Sequence, residues 1–174
     1  MKRVIIAGVG GQGVITTAHY LGLAATEEGL FASQRNLYGS AQRGSAIHSE
    51  VIISENPVIF PFVDIPDILI CMAQKAFDKY SRIADDETRL YIDSDLVTDL
   101  SGGKTLRTRP VLVPATRVAE DTGKMGDANM VWLGVLIGRE DILDPASVER
   151  VIKKSNMVRS FRAGLAMDQP PASH

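Results

Sequence analysis

The chain has 174 residues, the length of one domain, and a chain of that size buries roughly 70% of the surface its unfolded form exposes, enough for its own core. Its 45% hydrophobic and 23% charged residues exclude the charge-rich, apolar-poor composition of disorder. With 19 Lys and Arg against 21 Asp and Glu the net charge is −2, so no global field recommends nucleic acid or an anionic membrane as a partner.

In chain order, Val4 to Val9 is a short apolar run ending in glycines, and from Val14 to Glu28 apolar residues return at helical spacing as Val14, Ala18, Leu21 and Ala25. This predicts strand, tight turn, helix. Gly29 suits a helix C-terminus, and Leu30 to Arg35 predicts a second strand, completing a βαβ unit with a parallel pair. Asn36 to Ser45 reads as a loop and Ala46 to Ser54 as an alternating strand, broken by Asn56-Pro57. Beyond it the pattern predicts a buried strand over Ile68–Met72, a helix over Lys75–Ala84 and a strand over Arg89–Ile92. A turn at Ser101-Gly102-Gly103 precedes a strand over Thr105–Val113 and a short helix over Ala115–Asp121.

Asp127 suits the N-cap of a helix over Ala128–Gly138, and Asp144-Pro145 the cap and first position of a helix reaching about Ser155. A last helix spans about Asn156 to Met167. The expectation is an α/β fold: a single three-layer Rossmann-like domain over residues 1–167 with a mixed, mostly parallel sheet, followed by a frayed tail over 168–174. Ala128 to Gly138, the longest near-continuous apolar stretch, is far short of the ~20 residues that cross a bilayer, and Met1-Lys2-Arg3 leads into a strand-like run. No membrane insertion and a cytoplasmic location are the default.

The sharpest motif is Gly8-Val9-Gly10-Gly11-Gln12-Gly13, a G-x-G-x-x-G between a strand and a helix. Such a turn lets a phosphate approach the backbone, where the helix start supplies free N–H groups and a positive dipole end. Dinucleotide sites add an acid at the end of the second strand for the ribose, but Ser33-Gln34-Arg35-Asn36 has none. Arg35 is then either a partner for a ribose phosphate, as in NADP sites, or an ordinary exposed arginine. A phosphate-bearing ligand or partner site and a purely structural turn both stay open. A second candidate is Arg43, flanked by small residues in the Tyr38 to Ser45 loop, where paired guanidinium donors suit phosphate or carboxylate; the alternative is a solvated side chain.

Cys71 is the only cysteine, so the chain alone forms no intrachain disulfide and no four-thiolate cluster, and any metal redox centre belongs to another chain. His19 and His48 lack ligands at metal spacing, and Asp93 and Asp95 read as a cap or solvated turn rather than a cation site. Asn129 suits a cap or a ligand contact. Trp132, Leu133, Leu136 and Ile137 read as one packed helix face, and Lys153, Lys154, Arg159 and Arg162 as a solvated basic end that is also a conceivable docking surface.

Taken together, Gly10-Gly11-Gln12-Gly13-Val14, the Arg43-Gly44 loop leading into the Ile47–Ser54 strand, Pro66-Asp67-Ile68-Leu69-Ile70, and Asn129 with Leu133-Gly134 resemble the gamma subunit of 2-oxoacid:ferredoxin oxidoreductases. The resemblance spans about Lys2 to Gly164; Ser45 stands where many members carry a second glycine. It implies CoA-dependent oxidative decarboxylation of a 2-oxoacid, with ferredoxin as electron acceptor. It places thiamine diphosphate on alpha and beta partner subunits and iron–sulfur clusters in partner subunits that include a ferredoxin-like delta subunit. The gamma chain then packs beside the thiamine-bearing subunits and helps cover the active site and the coenzyme A entrance. Gly10, Gly11, Gln12, Gly13, Val14 and Arg43 become the expected contacts to phosphate or partner, with no catalytic residue and no metal site on this chain. The alternatives from the residues are a free-standing NADP-dependent oxidoreductase and a regulatory nucleotide-binding module.

Overall fold

The computed structural model describes residues 1–38, 44–101 and 108–167. Strand β1 (Lys2–Val9) leads through the glycine turn into helix α1 (Val14–Glu27), then β2 (Phe31–Leu37), β3 (Ala46–Ser54), β4 (Ile68–Cys71) and α2 (Gln74–Tyr80). The remainder is β5 (Arg89–Asp93), β6 (Val111–Val113), α3 (Ala115–Asp121), α4 (Ala128–Glu140), α5 (Pro145–Val151) and α6 (Ser155–Leu165). The six strands form one sheet in the order β2-β3-β1-β4-β5-β6. Parallel ladders run from β1 through β4 and β5 to β6, while β3 is antiparallel to both β1 and β2. The sheet is mixed and mostly parallel, as the alternation of elements implied.

One expectation fails in its detail. β2 does not pair with β1: β3 lies between them, in antiparallel register with each, from Phe31↔Ser54 to Leu37↔His48 on one side and Lys2↔Ile53 to Val9↔Ala46 on the other. The reason is burial. β3 is largely buried and has the Val51-Ile52-Ile53 run to fill a central position, whereas Phe-Ala-Ser-Gln-Arg-Asn-Leu of β2 is only half buried and suits an edge. Of the strand expected over Thr105–Val113, residues 105–107 lie outside the described residues, and β6 begins after Pro110, which has no N–H to give a ladder.

Helices cover both faces. Val14, Ala18 and Leu21 of α1 pack with Val4, Ile6, Val51 and Ile53 on one face, joined there by α3 to α6. On the other face Phe77 of α2 packs with Ile5, Leu69, Leu90 and Ile92. Every residue from Asn129 to Ile137 of α4 is buried, so this helix is apolar all round rather than one-faced. Asp144 caps α5 as expected, accepting 2.8 Å from the Ala146 N–H. Asp127 sits at the N-cap position of α4, but its side chain accepts 2.6 Å from Asn156 Nδ2 instead of capping. α5 ends at Val151, before the expected Ser155, where Ile152 turns extended. No helix among the described residues is long and apolar enough to cross a membrane. The expected tail over 168–174 lies outside the described residues.

Candidate functional site

The connections after β1 and β4 leave toward opposite faces of the sheet, α1 to one and α2 to the other. That divergence opens a crevice beyond the carboxyl ends of β1, β4 and β5, the position where open α/β sheets take ligands. A cleft of about 320 Å³ lies there. Gly11 and Gln12 come to it from the glycine turn, Met72 and Asp93 from the ends of β4 and β5, Thr116 from α3, and Asn129 and Trp132 from the start of α4.

The turn is shaped by its glycines at two positions, Gly11 (φ 95°) and Gly13 (φ 74°), both in the left-handed region that side chains disfavour. Gln12 then fixes it. Its Oε1 accepts 2.9 Å from the Val9 N–H and its Nε2 donates 2.9 Å to the Met72 carbonyl, tying the turn to the end of β4. Gly13 has a second constraint, since a Cβ there would meet the Asn129 side chain at 2.7 Å. Thr17 completes the join by donating to the carbonyls of Gly13 (3.0 Å) and Asn129 (3.3 Å). Gly10 and Gly11 are different: a Cβ on either would meet nothing within 4 Å among the described residues. No side chain caps α1 and no acid stands in its first turn, so its leading N–H groups keep the anion-attracting character of a helix start.

Asp93 forms the acidic wall of the cleft. It is buried, with Oδ1 accepting 3.0 Å from the Asp95 N–H and Oδ2 accepting 2.9 Å from Thr116 Oγ1. Burial pushes its carboxyl above the ordinary value, against those two hydrogen bonds. Trp132 also lines the cleft, buried, with an indole N–H that meets no hydrogen-bond acceptor among the described residues. Apolar Met72, Leu96 and Met125 surround these few polar groups, the usual make-up of a small-molecule site.

The six residues singled out from sequence divide accordingly. Gly10, Gly11, Gln12, Gly13 and Val14 form one turn at the mouth of the crevice, although the Val14 side chain is in the core, leaving only its backbone for a ligand. Arg43 lies outside the described residues. Arg35, the candidate for a ribose phosphate, lies on β2, two strands from β1, and is spent there: its Nε and Nη2 donate 2.8–3.0 Å to the buried Glu50 carboxylate of β3. His48 shares Glu50 at 3.2 Å, and burial lowers its pKa despite that neighbour. Asp95 binds the backbone and guanidinium of Arg117, and no metal-holding group of three His, Cys, Asp or Glu occurs among the described residues. The sequence reads Asp93 as a cap or solvated turn, whereas it is buried at the cleft; Trp132 is packed in the core as its helix pattern implies and lines the cleft as well. The available signal was position: Asp93 closes a strand between two other parallel strands, where a side chain faces the crevice.

These features define an α/β protein of the open-sheet class, with a glycine-rich turn at the topological switch point. The sequence comparisons make this more specific. Residues 3–162 match the pyruvate ferredoxin/flavodoxin oxidoreductase family, and the chain belongs to it. It is 38% identical over 159 residues to the 2-oxoglutarate synthase subunit KorC of Methanothermobacter thermautotrophicus, covering 88% of this chain and 84% of that one. The ketoisovalerate oxidoreductase subunit VorA of the same organism is 38% identical over 135 residues, which are 78% of this chain but only 28% of VorA. The crystal structure of the keto/oxoacid ferredoxin oxidoreductase gamma subunit from Geobacter sulfurreducens superposes with a TM-score of 0.80 at 28% identity, covering 95% of this chain and 96% of that one. The chain is thus a gamma-type subunit of a 2-oxoacid:ferredoxin oxidoreductase complex, as its motifs suggested, and nothing supports the free-standing NADP enzyme.

Proposed function

We infer that this chain, as one α/β module over residues 1–167, supplies the coenzyme A side of a cytoplasmic 2-oxoacid oxidoreductase. The family works in complexes that contain thiamine diphosphate and iron–sulfur clusters and use coenzyme A. A four-thiolate cluster does not fit this chain. Cys71, its only cysteine, is buried in the core, and burial pushes its thiol well above the range in which a thiolate ligand forms. Electron transfer to ferredoxin is therefore assigned to cluster-bearing companions, and in this reading decarboxylation belongs to thiamine-bearing alpha and beta companions, against which this module packs beside a delta companion.

The observation that carries the reading is the open space above Gly10 and Gly11, beside an uncapped helix start. Backbone N–H groups in that arrangement bind phosphate by charge and geometry together. Coenzyme A presents phosphates on an adenosine, and the adjoining cleft offers a buried acceptor at Asp93 within apolar walls for such a ring. The module acts by binding and orienting this co-substrate beside the acyl-bearing centre of its companions, and contributes no acid, base or nucleophile.

The test is to co-purify the chain with its companion subunits and follow CoA-dependent reduction of an electron acceptor. A complex lacking this chain should lose CoA-dependent turnover, and titration of the isolated chain should show coenzyme A binding in preference to NADP(H). Full activity from the chain alone, or tight NADP(H) binding with no response to coenzyme A, overturns the reading.

A further inference from the structure

A second cavity, a notch of about 300 Å³, lies between the end of α3 and the first turns of α6. The segment Thr122 to Asp127 belongs to both cavities: Met125 and Gly126 line the cleft, whereas Lys124 and Asp127 line the notch together with Asn156, Arg159 and Ser160 of α6. The two differ in chemistry. The cleft is largely apolar, while the notch brings two cations, a carboxylate, an amide and a hydroxyl to one place.

Three of these groups have unused hydrogen-bonding capacity. Arg159 has no ion-pair or hydrogen-bond partner among the described residues, unlike Arg162 one turn later, whose guanidinium donates 2.6–2.7 Å to Glu149. Ser160 is only 2% exposed, yet its hydroxyl makes no hydrogen bond among the described residues. Asp127 is 6% exposed; its Oδ2 accepts 2.6 Å from Asn156 Nδ2, while Oδ1 has only the Lys124 ammonium at 3.9 Å, beyond hydrogen-bond reach. Polar groups buried to this degree are ordinarily paired. The space open to them is the notch.

We propose that the notch binds a phosphate monoester, at a site separate from the glycine turn; this assignment stands without the coenzyme A reading. Lys124 and Arg159 set against Asp127 leave one net positive charge, and Asn156 lies in the first turn of α6, which has no capping side chain and no acid, so the positive end of the helix dipole adds to it. The Arg159 guanidinium offers paired donors to two oxygens of a tetrahedral anion, and the Ser160 hydroxyl offers another. Asp127 selects among anions. Sulfate and carboxylates reach neutral pH with no proton, so they meet its Oδ1 as like charge. A phosphate monoester, whose second pKa is about 6, carries an O–H that donates to the same oxygen when bound as the monoanion. Two sources present this chemistry: the ribose phosphate of coenzyme A, reaching past the segment common to both cavities, and a separate phosphorylated metabolite.

The test is calorimetric titration of the full chain with inorganic phosphate, with sulfate as the matched control. Sulfate should bind about tenfold more weakly or worse, because a site built around a ligand O–H rejects the analogue lacking it. K124Q/R159Q alters two exposed side chains, so its thermal melt should match wild type while its phosphate affinity falls about tenfold or more. Asp127→Asn should narrow the preference for phosphate over sulfate. Displacement of phosphate by coenzyme A but not by dephospho-coenzyme A supports the site and gives it to the ribose phosphate of the co-substrate. Phosphate binding that saturating coenzyme A leaves unchanged supports the site and gives it to a separate metabolite. Displacement by both compounds puts the phosphate on the glycine turn and overturns the notch, as do equal affinities for phosphate and sulfate, phosphate binding that survives K124Q/R159Q, or no phosphate binding by the wild-type chain. Failure of coenzyme A to bind at all sinks the coenzyme A reading and leaves this site to the phosphate titration.

Discussion

Gly134 of α4 and Gly164 of α6 bring two helix backbones into direct contact. A Cβ on Gly134 would lie 2.0 Å from the Phe161 carbonyl oxygen, and one on Gly164 would lie 2.1 Å from that of Val131. Both distances are far inside van der Waals contact and both obstacles are backbone, so neither can be relieved by a side-chain rotation. The crossing fixes α4, whose first turn carries Asn129 and Trp132 into the cleft. Gly134→Ala is expected to destabilise the chain by about 3 kcal/mol or prevent folding, from overpacking at a site that cannot yield. Urea denaturation checks it, and a loss under about 1 kcal/mol would show that the helices separate easily.

Gln12 holds the glycine turn through two hydrogen bonds to backbone groups, at Val9 N–H and the Met72 carbonyl. Gln12→Glu keeps the shape and the acceptor but sets a carboxylate oxygen against the Met72 carbonyl. The expected cost is about 1–3 kcal/mol for the lost bond and the unpaired carbonyl. Coenzyme A affinity should fall as well, because an anion now stands beside the proposed phosphate position. Melting curves and calorimetric titration separate the two effects; an unchanged melt would mean the turn is rigid without its glutamine.

Asp67 joins β1 to β4 by accepting 2.7 Å from the Arg3 N–H and 2.6 Å from the Arg3 guanidinium. Partial burial works against its ionisation, but the hydrogen bonds and charge of Arg3 hold its carboxyl below the ordinary value. Stability from a depressed carboxyl is present above the unfolded pKa of about 3.9 and is lost as pH falls through the folded one. With both partners substantially exposed, the contribution is about 1 kcal/mol. Asp67→Asn should therefore melt lower than wild type at pH 7, with the two curves converging below about pH 3. A gap that stays constant with pH would assign the effect to packing.

Much of this architecture is written in local pattern. The Val4–Val9 run, the glycine turn and the Asp144-Pro145 cap are short-range signals, and strand and helix form where they indicate. The place of β3 is not local: inserting it between β1 and β2 is settled by which strand has the apolar side chains for a central position, a competition no single segment records. The cleft shows the same division. The turn was legible because Gly11 and Gly13 take the left-handed φ that glycine suits, whereas Asp93, Thr116 and Trp132 belong to three separate elements and meet only after the sheet forms. Arg35 misleads for a related reason, since its partner Glu50 is assigned by strand register rather than by sequence proximity.

Gly10 separates a ligand turn from a merely structural one. It carries no positive φ, and no described residue stands where its Cβ would be, unlike Gly13, whose Cβ would strike Asn129. Folding therefore places no steric demand for glycine at this position, and Gly10→Ala should alter stability by no more than about 0.5 kcal/mol. A phosphate drawn onto the turn does place such a demand, because a methyl group occupies the approach to the backbone N–H groups. The assembled Gly10→Ala enzyme should show a KM for coenzyme A raised about tenfold or more, with kcat and the KM for the 2-oxoacid little changed, as expected where binding alone is lost. Gly13→Ala, by contrast, should lower the melting temperature through its strained φ and the collision with Asn129. If Gly10→Ala binds coenzyme A as wild type does, the turn serves the fold or a partner subunit and the phosphate lies elsewhere.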